Sequence, residues 1–180
     1  MDTAEETVKD WLQKLTEDEL YEMFSAHIRD IYSVDGLYFL EIEKRFGTQA
    51  AIDIDTEVWK VMGIIEMKRL MKVFKPNDSR PFDTFVRIMK STSWWLDLED
   101  KDITYLSDEQ KLILKNRSCR VQKNRIGKVL PEFKCKPVRM GFMKAFAETY
   151  SPKIKVECIT CHPEEHPDDL WCHWELSMDK

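Results

Sequence analysis

Apolar residues recur at helical spacing through the first half of the chain. Thr16 with Glu19 forms a capping box, and Leu20, Met23, Phe24, His27, Ile28 and Ile31 follow three or four positions apart. His27 falls on that apolar face and reads as a core or boundary histidine before it reads as a ligand. A second helix is predicted from Val34 to Phe46, stopped by Gly47. A third, long helix is predicted over AAIDIDTEVWKVMGIIEMKRLMKVFK, where Trp59, Met62, Glu66, Leu70 and Phe74 fall near one stripe and Pro76 closes the element. Such a stripe is first of all a packing surface.

After KPNDSRP, a further helix over PFDTFVRIMKS precedes a change of period. SWWLDLED and QKLILKNRS alternate as strands do; a short helix over Val121 to Gly127 and a longer one over Pro137 to Tyr150 follow. Two last strands are predicted at KIKVECIT and LWCHWELSM. The order strand, strand, helix, helix, strand, strand predicts an α+β fold. In it a helical N-terminal part, residues 1–90, packs on a unit over residues 91–180 built on a four-stranded antiparallel sheet.

Composition narrows the class. The 180 residues are enough for one compact domain, and the 43% hydrophobic and 34% charged fractions are those of a folded globular protein. No run of ~18 apolar residues is present to cross a bilayer. The start MDTAEETVKD has neither the basic nor the apolar stretch of a secretory signal, so the expected location is cytoplasmic, with thiols kept reduced. A formal net charge of -5 argues against sequence-independent nucleic-acid binding, although KNRSCRVQKNRIGK is locally basic. Glycine is scarce and no phosphate-cradling loop is visible, which disfavours nucleotide chemistry.

The chemistry-bearing residues gather in VECITCHPEEHPDDLWCHWEL, with Cys158, Cys161, Cys172, His162, His166 and His173. A metal site, a redox pair and plain reduced thiols are all open readings. Strand parity puts Ile154, Val156 and Cys158 on one face, and Cys172, Trp174, Leu176 and Met178 on one face of the partner. A hairpin with Val156 opposite Trp174 would set Cys158 opposite Cys172, with Cys161 in the connection. The preceding helix carries the chain about 20 Å one way at ~1.5 Å per residue, and strand residues at ~3.3 Å return it. Cys135, just before that helix, then comes level with Cys158. Cys135, Cys158, Cys161 and Cys172 have the composition of a closed tetrahedral zinc site. The loop HPEEHPDD reads as a stiff solvated turn, with His162 or His166 as a substitute ligand should Cys135 lie elsewhere, and His173 should point away from the cysteine face.

The segments VDGLYFLEIEKRFG, AAIDIDTEVWKVMG, CRVQKNR, LPEFKCKPV and IKVECITCHPEEHPDDLWCHWEL together resemble an uncharacterised family of bacterial and archaeal cytosolic proteins. The C-terminal half of that family is similar to the four-vinyl-reductase domain and the heme nitric-oxide-binding and Golgi-transport ligand-binding fold. The resemblance implies an antiparallel sheet with helices over one face. It further implies a zinc held by Cys135, Cys158 in place of an acidic residue, Cys161 and Cys172, with a small-molecule pocket nearby. Some related proteins are named as aminothiazoline-carboxylate hydrolases.

Two functions follow as expectations. The first is a metal-stabilised binding or sensor module for a small apolar or aromatic ligand, its pocket lined by Trp94, Trp95, Phe142 and Trp174, with four sulfurs leaving the metal no open position. The second is a small-molecule hydrolase acting on cyclic C–N or C–S substrates. Its candidate nucleophile is Cys119 at a helix start, beside Arg117, Arg120 and Arg125, which would lower its pKa. Asp35, Glu41, Glu43 and Glu66 are its candidate bases.

Overall fold

Two capping boxes open the chain's helices. Thr7 with Asp10 starts α1 (Val8–Leu12), and Thr16 with Glu19 starts α2 (Glu17–Phe46). The computed structural model describes residues 7–98 and 100–179. The acidic start MDTAEE lies outside the described residues, as does Glu99 of the expected first strand. α2 is one unbroken helix of 30 residues where two were expected. Nothing between Ile31 and Val34 removes a backbone donor, and Ser33 Oγ bonds back to the Arg29 carbonyl at 2.9 Å without interrupting the turn. Gly47 ends α2 as predicted, with φ 88° and its N–H on the Glu43 carbonyl.

α3 (Thr48–Phe74) follows directly and stops at Lys75, one residue before Pro76. α4 (Phe82–Met89) comes next. Then the expected strand SWWLDLED is instead a short helix, α5 (Ser93–Asp97), in which the Thr92 hydroxyl accepts from the Trp95 amide. Trp94 and Trp95 are 6% and 5% exposed, and a strand covered on one face cannot bury two adjacent side chains, which point to opposite faces. The first strand starts later, as β1 (Lys101–Leu106), and β2 (Lys111–Asn116) pairs with it. α6 (Arg120–Gly127), α7 (Lys136–Tyr150), β3 (Ile154–Cys161) and β4 (Cys172–Met178) complete the chain.

The fold is α+β, with a four-stranded antiparallel sheet in the order β1-β2-β4-β3. One face of the sheet is apolar by alternation, with Leu112, Leu114, Trp174, Leu176 and Ile154 buried. α7 lies on that face through Phe142, Met143 and Phe146, and α3 covers α7 in turn through Trp59, Gly63 and Met67. The helical part and the sheet thus share one core, which runs from Phe39 to Leu176. His27 lies outside it, exposed and paired with Asp30, on a part of α2 that also leaves Phe24 and Ile31 exposed.

The α3–α7 contact is close enough to require glycine. A Cβ at Gly63 would stand 2.6 Å from the Phe142 carbonyl oxygen and 3.2 Å from the Phe146 amide nitrogen. Gly63→Ala gains ~1 kcal/mol of helix propensity and loses ~1–3 kcal/mol to the forced separation. We expect a net destabilisation of up to about 2 kcal/mol in urea unfolding, and an alanine variant more stable than the parent would show that the helices are not locked at this point.

Candidate functional site

The cysteines are brought together by an irregularity in β3. Val156 pairs with Leu176 and Cys158 with Trp174; the ladder then skips a residue, so Thr160 faces His173 and Cys161 faces Cys172. The expected register, with Val156 opposite Trp174 and Cys158 opposite Cys172, is displaced by two. A two-residue slip leaves every side chain on its own face, so parity alone could not distinguish the two pairings. Three apart on a regular strand, Cys158 and Cys161 would point to opposite faces. The bulge leaves Ile159 half exposed and returns Cys161 to the inner face, where it is 2% exposed.

Cys135, the last residue before α7, meets Cys161 there. The two Sγ atoms are 3.5 Å apart, and both lie close to the His162 carbonyl, at 3.8 Å and 3.7 Å. Cys161 is the shared hydrogen-bond partner of Cys135 and Cys158. That bonding pushes its own thiol pKa up and draws both neighbours down. Burial pushes Cys172 up to about 12. Among the described residues no group of three or more His, Cys, Asp or Glu stands ready to hold a metal ion. The Cys135–Cys161 spacing does fit one: two thiolates on a tetrahedral zinc with Zn–S ~2.3 Å are about 3.8 Å apart. The histidines are occupied elsewhere. His162 contacts Glu132 and His166, His166 also faces the Pro167 carbonyl, and both rings pack on Trp171, while His173 pairs with Glu175 at 3.3 Å.

Behind the thiols lies a cavity of about 440 Å³, bounded by α2, α3, α5, α6, the start of α7 and the edge of the sheet. Cys119, Cys135, Cys161 and Cys172 form one wall. Trp94 and Trp174 line it as expected, whereas Trp95 and Phe142 do not. Trp95 turns away against the edge of Trp94, and Phe142 stacks on Phe146 within the core. Cys119 reaches the cavity, but burial pushes its thiol up to about 11, opposite to the expected lowering. The arginines meant to activate it are engaged: Arg117 with Asp102, Arg120 with Asp97 and Arg125 with Glu43.

Two polar features of the cavity stand out, of which the sequence had offered only Asp35, as a candidate base. Arg139 on α7 stacks over Trp94 at 4.5 Å, and also over Phe142 and Trp59, with its Nη1 buried and without a hydrogen-bond partner. Asp35 and Asp55 face each other within hydrogen-bonding reach, and the Trp59 indole N–H donates to Asp35 at 3.0 Å. Burial raises both pKa values, and the neighbouring Asp35 helps to push Asp55 up to about 8. Periodicity carried the signal. Asp55 sits in the i+4 line Ala51, Asp55, Trp59, and Arg139 in the line Cys135, Arg139, Phe142, Phe146. A charged residue inside a buried stripe is the feature to look for.

The acid pair makes a pH prediction. A folded-state pKa raised above the ordinary 3.8 gives stability that is full below that value and is lost as pH rises through about 8. Asp55→Asn removes the titrating group. In melts at pH 5 and pH 8 the variant should gain on the parent at the higher pH, and parallel curves would contradict the raised Asp55.

No curated protein and no solved structure matches this chain. The sequence profile of a family of unknown function (DUF6125) matches residues 13–178, which is nearly the whole length, and the chain therefore belongs to that family.

Proposed function

We propose that this protein is a small-molecule-binding module whose ligand enters the cavity between the helices and the sheet. The observation that carries the reading is the cavity itself. It holds about 440 Å³ and reaches the surface, where the exposed Leu37 and Val121 line it, with mostly apolar walls and a few convergent polar groups at Arg139, Asp35 and Asp55. A fold left to optimise stability alone would fill such a space and would not bury two facing carboxylates. The resemblance to the four-vinyl-reductase fold points the same way.

The cysteine wall supports zinc as the second part of the proposal. Cys135 and Cys161 have the spacing for it, and Cys158 and Cys172 would turn inward to complete a four-sulfur set. Bound there, the ion would act structurally, tying β3 and β4 to the start of α7, since four sulfurs leave no position for water. No comparable observation favours the hydrolase reading, because burial pushes the Cys119 thiol up to about 11 and the neighbouring Arg120 and Arg125 are engaged with Asp97 and Glu43.

The ligand reading predicts that members of a library of small aromatic and apolar compounds raise the melting temperature by mass action. Val138→Phe, which fills the cavity from α7, should abolish those shifts while keeping the fold. A library without hits, or hits that survive the filled cavity, would refute the site. For the metal, elemental analysis of protein purified without a metal-affinity tag should find one zinc per chain, lost in Cys161→Ser. Metal-free protein of undiminished stability would leave these cysteines as reduced thiols.

A further inference from the structure

Three arginines line the cavity, and two are satisfied. Arg120 binds Asp97 at 2.8 Å, and Arg125 binds both oxygens of Glu43, at 3.0 Å and 2.7 Å, as well as the Pro131 carbonyl. Arg139 makes no ion pair among the described residues. Its guanidinium is held in place by three aromatic rings, yet Nη1 is buried with its hydrogens unfilled. A guanidinium nitrogen buried without a hydrogen-bond acceptor is costly, and guanidiniums remain charged at any physiological pH. The acids nearest to it, Asp35, Asp55 and Glu66, act only through space. Burial and the neighbouring Asp35 push Asp55 up to about 8, so the pair does not bring two full charges against it. A cavity lined by a guanidinium without an ion pair and by largely apolar walls is complementary to a molecule with an anionic acceptor group and an apolar body.

Resting on the reading of this cavity as a ligand site, we propose that its ligand is a small aromatic or apolar monocarboxylate, with the carboxylate on Arg139 and the hydrocarbon body among the apolar walls. The planar fork of arginine matches a carboxylate and gives charge-assisted bonds that a neutral amide cannot reproduce. The rings around Arg139 set its orientation beforehand, so little is lost in ordering it when the ligand arrives. Phosphates fit less well. Their charge of nearly two would meet one free guanidinium with Asp35 and Asp55 close by.

The test uses matched probes. Benzoate, 3-phenylpropionate and indole-3-acetate are titrated calorimetrically into the purified full chain alongside benzamide, 3-phenylpropanamide and indole-3-acetamide, and then into Arg139→Met and Arg139→Lys. At least one acid should bind tenfold or more tightly than its amide. Arg139→Met should remove that preference while leaving amide binding in place, and Arg139→Lys should keep part of it. Acids and amides that bind parent protein equally would overturn the carboxylate assignment and leave the ligand cavity standing, and this comparison does not depend on either variant folding. Binding of neither set would overturn both the assignment and the cavity reading beneath it. An acid preference that survives Arg139→Met would move the anion site elsewhere and equally overturn the proposal.

Discussion

The rest of the structure depends on how α7 is wedged between α3 and the sheet. At Gly63 the two helices approach until the backbone of α7 occupies the space where a side chain would sit. Below, Phe142 and Phe146 fill the apolar face of the sheet. This contact fixes α7 near its middle and leaves its first turn to other neighbours. There Arg139 replaces an apolar residue, Trp59 stacks on Tyr32 of α2 at 5.5 Å, and the packing opens into the cavity. The opening is therefore a local exception at one end of a well-packed helix pair.

The same wedge carries Cys135 to the sheet. Cys135 immediately precedes α7, and β3 begins soon after that helix ends, so the length of the helix and that of the returning strand bring Cys135 back to Cys161. The bulge at Ile159 supplies the last condition by turning the second cysteine of the Cys-x-x-Cys inward. Site and cavity share a wall as a result. Any ordering of the thiols, whether by metal or by hydrogen bonding, acts directly on the shape of the pocket.

Much of this was legible from residue order. Period 3.6 before residue 90 and period 2 at β2, β3 and β4 carried the fold class, and Gly47 and Pro76 marked their helix ends correctly. The break placed between Ile31 and Val34 failed because a pause in apolar spacing does not interrupt backbone hydrogen bonding. The strand placed on Trp94 and Trp95 failed because two adjacent aromatics satisfy strand propensity and also suit a short, doubly buried helix capped by Thr92. The bulge could not be read, since nothing in VECITC marks the skipped residue. Of the four tryptophan and phenylalanine residues expected around the pocket, Trp94 and Trp174 line it; Asp35 had been named only as a base, and Asp55 and Arg139 had to be recognised as charges placed inside buried stripes.

The claim that the cavity at the first turn of α7 receives a ligand can be tested by the tryptophans themselves. The chain has six, and only Trp59, Trp94 and Trp174 line the cavity; Trp95 is packed in the core, Trp171 lies against the histidines and Trp11 is on the surface. In a proton–nitrogen correlation spectrum of uniformly nitrogen-15-labelled protein, titration with unlabelled 3-phenylpropionate should shift the indole signals of Trp59, Trp94 and Trp174 together, with one saturation curve, and leave Trp11 and Trp171 in place. Shifts confined to Trp11 or Trp171, or no shift at any indole up to the solubility limit of the probe, would contradict the account.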